Sequence, residues 1–193
     1  LDIETEEDVV RIIQQDDWMM SVLRAAKTLN LPDWWICAGF LRSKIWDTLH
    51  GFEERTVLSD IDIIYFDPTN TDENFEKKLE AKLREIIPNI PWSVKNQARM
   101  HIVNNLQPHS SAVVGIANFP ETVTALGAKL DEENNVILTA PHGIHDVLNL
   151  VVKPTPPFLT TVKLRAIYEN RVQQKNWSSI WTKVKIFYME KFE

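Results

Sequence analysis

Several things are scarce in this chain. It has a single cysteine, Cys37, in 193 residues, so no internal disulfide can form and stability has to come from a packed core. Cys37 lies in the apolar run Trp34-Trp35-Ile36-Cys37, which reads as a buried structural thiol and sets the expectation of a reduced, cytoplasmic compartment. No stretch reaches the roughly 20 apolar residues that cross a bilayer, and no signal-peptide pattern opens the chain. No membrane partner is therefore expected. Cationic runs are missing too. With 21 Lys and Arg against 27 Asp and Glu, the net charge is −6. That argues against non-specific binding to a nucleic-acid backbone, which needs clustered cations, but it leaves room for a small basic pocket. There is no HExxH or paired Cys/His spacing for zinc, no Ser/His/Asp arrangement for a hydrolase, no internal repeat and no low-complexity tract.

What is present fits one globular unit. Apolar residues make up 44% and charged residues 25%, and the length is enough for a substantial core. Residues 1–193 are expected to form a single domain, with an N-terminal helical segment over about 6–28 and a C-terminal one over about 158–188. In the first segment, Val9, Ile12, Ile13, Met19, Met20, Val22, Leu23 and Ala26 form an apolar stripe that can break near Asp16-Asp17. A short strand is predicted around Trp34–Cys37, then a turn at Gly39 and a helix ending near His50-Gly51. Phe75, Leu79, Leu83, Ile86 and Ile87 mark another helix, whose charged residues from Glu76 to Glu85 read as a solvated face. Strands are expected at Trp92–Asn96, Pro120–Leu130 and Val136–Ala140. Short helices are expected at Gln97–His101, Ser110–Asn118 and Ile144–Leu150, and helical segments at Phe158–Lys175 and Ser178–Tyr188. Most of the seven tryptophans are expected in the core.

The richest stretch chemically is Ser59-Asp60-Ile61-Asp62-Ile63-Ile64-Tyr65. A strand alternates its side chains with period two, so Asp60 and Asp62 share one face while Ile61, Ile63 and Tyr65 take the other. Two adjacent carboxylates repel each other unless a divalent cation or a basic partner intervenes. The plainer alternative is a solvated strand end. Lys95, on the predicted Trp92–Asn96 strand, either pairs with these acids in place of a metal or, with Arg99, contacts a phosphate chain while Asn96 and Gln97 read a base or sugar. Arg171 and Lys175 fall on one helix face and could close over phosphates from the C-terminal side.

Strand, glycine turn, helix and Asp-x-Asp strand, in that order, resemble the polymerase-β-like nucleotidyltransferases. More narrowly, several segments resemble the bacterial nucleotidyltransferase-like family DUF925. These are Ala38-Gly39-Phe40-Leu41-Arg42, Ile45-Trp46-Asp47, Leu49-His50-Gly51, Asp60-Ile61-Asp62, Trp92 to His101, Pro120-Glu121-Thr122 and Ala140 to Asp146, with Arg171, Lys175 and Trp177. The resemblance implies an α/β (α+β) fold with a central mixed sheet flanked by helices. It implies Mg²⁺ or Mn²⁺ held by Asp60 and Asp62 as catalytic and metal-binding residues, and transfer of a nucleotidyl group from an NTP to an unknown acceptor. It places substrate binding at Gly39, Phe40, Arg42, Ser43, Lys95, Asn96 and Arg99. Two departures stand out. Phe40 occupies the position where relatives carry a phosphate-binding Ser, leaving Arg42 and Ser43 to replace it. The Trp92–Asn96 strand has no third acid, for which Glu121 is the candidate substitute. A catalytically silent nucleotide-binding module is the alternative these departures raise.

Overall fold

The computed structural model describes residues 2–189. Thr5 caps the first helix, α1 (Glu6–Gln14), through a reciprocal box with Asp8. The apolar stripe then breaks where expected: Asp16 accepts from the Met19 amide and starts α2 (Asp17–Lys27). β1 (Trp35–Cys37) runs into α3 (Gly39–His50), which Gly51 ends in the left-handed conformation. β2 (Ile61–Tyr65), α4 (Glu73–Ile86) and β3 (Trp92–Asn96) form a β-α-β crossover. There follow α5 (Gln97–Met100), α6 (Ala112–Ala117), the hairpin of β4 (Gly127–Leu130) and β5 (Val136–Thr139), and α7 (His145–Leu148). β6 (Val151–Val152), α8 (Val162–Lys175) and β7 (Lys185–Ile186) complete the order.

Five strands make a mixed sheet in the order β3-β2-β1-β4-β5, parallel between β2 and β3 and antiparallel elsewhere. Period-two alternation divides its residues as the sequence predicts. Ile36, Ile61, Ile63, Tyr65, Val94 and Ala128 face the main core with α1, α2 and α3, while Trp35, Cys37 and Ile64 face a smaller cluster closed by Ala112 and Ile116 of α6. Asp60 and Asp62 belong to this second face. The sheet is thus central, mixed and flanked by helices.

Three expectations are corrected. First, the acidic face of α4 is not wholly solvated: Glu76 and Glu80 are buried. β3 is an edge strand whose outward amides lack a strand partner, and Glu80 accepts from Val94 N at 3.0 Å while Glu76 accepts from Asn96 N at 3.2 Å. Second, only Gly127–Leu130 of the Pro120–Leu130 segment is strand. Upstream, Thr124 N and Ala125 N fold back onto Glu121 O and make a turn. Third, Ser178–Tyr188 is not helical. Asn176 adopts φ 46° and stops α8, Trp177–Ser179 form one 3-10 turn, and the chain then extends so that β7 pairs in parallel with β6. The Trp177 and Trp181 rings meet Trp46 edge-on at centroid distances of 5.8 and 5.1 Å, and that packing outweighs helical continuation.

Candidate active site

The bend between β1 and α3 is made by Ala38, which adopts φ 60° and ψ −124°. That is a costly backbone for a residue with a Cβ. Gly39 follows, with no side chain. A Cβ there would lie 3.2 Å from Nη2 of Arg42, so the missing side chain makes room for a guanidinium.

Arg42 occupies that space. It is only 9% exposed and lies over the rings of Trp177, Trp181 and Trp46, at 4.6, 5.3 and 5.4 Å from their centroids. Its Nη2 donates to Ser43 Oγ at 3.2 Å, and its Nε is buried without a hydrogen-bond partner among the described residues. No carboxylate forms an ion pair with it there. Burial pulls its pKa down to about 10, against the attraction of Glu121, Asp62 and Asp47, so it remains a cation at neutral pH. A desolvated cation whose charge is not directly paired is unusual.

Beside Arg42 lies a cavity of about 230 Å³ into which Asp60, Asp62, Arg171 and Lys175 also open. Asp60 is exposed and Asp62 half-buried. Burial first, and Asp60 second, push the Asp62 carboxyl up to about 6, against the pull of Lys175, Arg171 and Arg42. Arg171 and Lys175 lie four apart on α8 and reach this cavity together, as their spacing suggests. Arg171 is aimed by Glu121: Nε donates to Oε1 at 2.5 Å, and Thr124 Oγ1 donates to Oε2 at 2.7 Å. Glu121 is completely buried. It is therefore the anchor of an arginine in this structure and does not stand in as a third acid.

The remaining expected site residues scatter. The Phe40 side chain is core, 2% exposed and tilted against Trp18 at 6.1 Å, because the third position of this bend points under the sheet. Asn96 is wholly buried. It accepts from Asp67 N and Ala98 N and donates to Asp67 O and Asn70 O, leaving nothing for a ligand. Arg99 is taken by Glu76 at 2.7 Å and Glu73 at 3.3 Å, balancing the carboxylate that caps the sheet edge. Lys95 does share a face with Asp62, in a neighbouring cavity; among the described residues it forms no ion pair with either aspartate.

Two features escaped the sequence reading. Asp47 accepts from Thr56 N at 2.9 Å, from Thr56 Oγ1 at 2.6 Å and from Trp181 Nε1 at 2.8 Å, so it pins the loop leading to Asp60 and the C-terminal wall to α3. Besides Trp46 one helical turn on, Arg42 is covered by Trp177 and Trp181, more than 130 residues away, for which no local signal exists. As for a metal, no group of three or more ligating side chains occurs among the described residues. Two neighbouring carboxylates, one with its charge destabilised, do fit a hard divalent ion whose other ligands come from phosphate oxygens and water.

The nucleotidyltransferase family pattern matches residues 24–186. The chain belongs to that family. Among solved structures, an NMR structure reported to reveal a CCA-adding enzyme head domain is 32% identical with a TM-score of 0.87, over 97% of this chain and 98% of that one. A CCA-adding enzyme in an apo form (13% identity, TM-score 0.56) is covered over 94% of this chain and 43% of its own length. The Thermotoga maritima CCA-adding enzyme complexed with tRNA (14%, 0.56) is covered over 94% and 42%. These last two share the fold, and this family member spans less than half of either. No curated protein matches the chain.

Proposed function

We propose that this protein is a metal-dependent nucleotidyltransferase, with Asp60 and Asp62 holding Mg²⁺ or Mn²⁺ and with Gly39, Arg42, Ser43, Arg171 and Lys175 around the triphosphate of an NTP. We place it in the DUF925 group on the motifs quoted above, as one nucleotidyltransferase-like domain of the cytoplasm. The observation that carries the reading is the Arg42 guanidinium, buried without an ion-pair partner in the cavity that Asp60 and Asp62 share. An incoming phosphate would supply the anion that Arg42 lacks.

The α3 N-terminus adds a favourable field for negative charge in its first turn. A divalent ion held by Asp60 and Asp62 would supply neutralisation of phosphate charge and a more acidic acceptor hydroxyl. The chain's own residues orient: Arg42 and Ser43 from α3, Arg171 and Lys175 from α8. In the transfer, the acceptor oxygen forms a bond to the α-phosphorus. The bond from that phosphorus to the bridging oxygen breaks, pyrophosphate leaves with the electron pair, and the hydroxyl proton passes to water.

A nucleotide-binding module without turnover is the second reading, favoured by Ser93 opposite Asp62 on β3 and by the commitment of Glu121 to Arg171. Calorimetric titration of each NTP with and without Mg²⁺, followed by turnover of labelled NTP, separates the two. Metal-dependent binding abolished by the Asp60→Asn/Asp62→Asn double variant supports the site, and label transfer supports the enzyme. Equal NTP binding without metal and in the double variant would falsify it.

A further inference from the structure

Asp62 lines more than the first cavity. A second cavity of about 270 Å³ also opens onto Asp62, bounded by β3, the start of α5 and the turn from Phe119 to Thr124. It shares only Ala38, Asp62, Thr124 and Arg171 with the first. The two linings differ in kind. Around the first stand Arg42, Arg171 and Lys175, enough charge for a triphosphate. The second adds one cation, Lys95, one amide, Gln97, and the apolar Met100 and Phe119.

Lys95 and Gln97 both lack side-chain hydrogen-bond and ion-pair partners among the described residues, although Gln97 is only 3% exposed. The Gln97 amide lines this cavity and leaves its donor and acceptor open to a ligand. Room for Gln97 is kept open by Gly115 of α6, where a Cβ would fall 2.4 Å from its Oε1. An in-line displacement needs the attacking oxygen and the departing pyrophosphate on opposite sides of one phosphorus. Two separate cavities that share Asp62 give the triphosphate and the attacking group a place each.

We propose that the second cavity is the acceptor subsite, and that the acceptor is a small hydroxyl-bearing molecule with a single anionic group read by Lys95 and Gln97. This rests on the nucleotidyl-transfer reading above. The parallel register pairs Asp62 with Ser93 and Ile64 with Lys95. Lys95 is thus one two-residue step along and one strand across from Asp62, roughly 8 Å between backbones from standard strand spacings. A compact molecule bridges that gap, with its hydroxyl at Asp62 and its charge at Lys95. A polynucleotide end fits less well. The next cation, Arg99, is occupied by Glu76 and Glu73, so no track of free charge leads away from Lys95 for a phosphate backbone.

The test uses the full chain, isotope-labelled and saturated with Mg²⁺ and a non-hydrolysable ATP analogue. Glycerol 3-phosphate and, separately, glycerate are titrated while amide shifts are followed by NMR; the two probes distinguish a phosphate ester from a carboxylate. At least one is expected to shift Lys95, Gln97 and Met100 saturably. Its affinity should fall tenfold or more in Lys95→Met and be largely kept in Lys95→Arg, with analogue binding unchanged in both. Shifts centred on Arg42 and Lys175, equal affinity in Lys95→Met, or no saturable shift from either probe overturns the proposal. So does label transfer to tRNA that is indifferent to Lys95→Met. An analogue that fails to bind the unaltered protein overturns the transfer reading itself, and the acceptor role with it. Loss of the Lys95-dependent effect alone overturns only this inference.

Discussion

Asp62 stores charge repulsion that folding alone does not relieve. Its carboxyl is raised to about 6 by burial and by Asp60, so the native state binds its proton more tightly than the unfolded chain does. Such a group favours the native state most below its unfolded pKa, and the contribution is lost as pH rises through about 6. The metal-free Asp62→Asn variant should therefore be more stable than the parent at pH 8, by on the order of 2 kcal/mol. The difference should shrink below pH 4, as followed by urea denaturation at the two pH values. The same variant should lose Mg²⁺-dependent NTP binding. Arg42 makes the complementary case. Arg42→Met keeps bulk between the tryptophans but removes the donor fork, and NTP affinity should drop by 30-fold or more, about 2 kcal/mol or above, in calorimetry. Retained affinity would show that the buried guanidinium is purely architectural.

Between elements, the cavity depends on two buried acids that never face it. Asp47 ties the Thr56 loop and Trp181 to α3, and Glu121 ties α8 to the turn before β4. Asp47→Ala leaves three donors without their acceptor and should cost about 2–4 kcal/mol in chemical denaturation. Asp47→Asn should cost less while still weakening NTP binding several-fold, since the loop carrying Asp60 is loosened. Sequence pattern could reach the elements but not these ties. The shared face of Asp60 and Asp62, the Gly51 stop, the α1–α2 break and β3 at Trp92–Asn96 all follow from periodicity and local caps, which act over a few residues. Asn96 and Arg99 read as site residues because they neighbour Lys95 in sequence, yet the edge position of β3 turns them toward Glu76 and the Asp67–Asn70 loop. Glu121 and Asp47 gain their meaning from partners 50 and 134 positions away, beyond any window of local pattern. The extended path after Asn176 was hidden for the same reason: its strand pairing with β6 is decided by the distant Trp46 contact.

For the whole molecule, the first cavity is assembled from α3 and β2 in the first third of the chain and from α8 and its following turn near the end. A ligand gripping both parts must stabilise the entire fold. At 100 times its Kd, an NTP with Mg²⁺ should add about 2.7 kcal/mol. For a chain of this size that amounts to an increase in Tm of roughly 5–10 °C, read by scanning calorimetry. Metal alone should give a smaller rise, and the Asp60→Asn/Asp62→Asn variant none. A Tm that stays flat with NTP and metal would mean that the two parts are not bridged by the nucleotide.

Arg171 borders both hollows and hangs from one fully buried carboxylate. Two of its nitrogens donate to that carboxylate, and the donors left over can serve one occupant or be shared by both. Whichever guest arrives first resets the welcome given to the second, and thermodynamic reciprocity makes that influence equal in the two directions. The two affinities would then be coupled through one side chain.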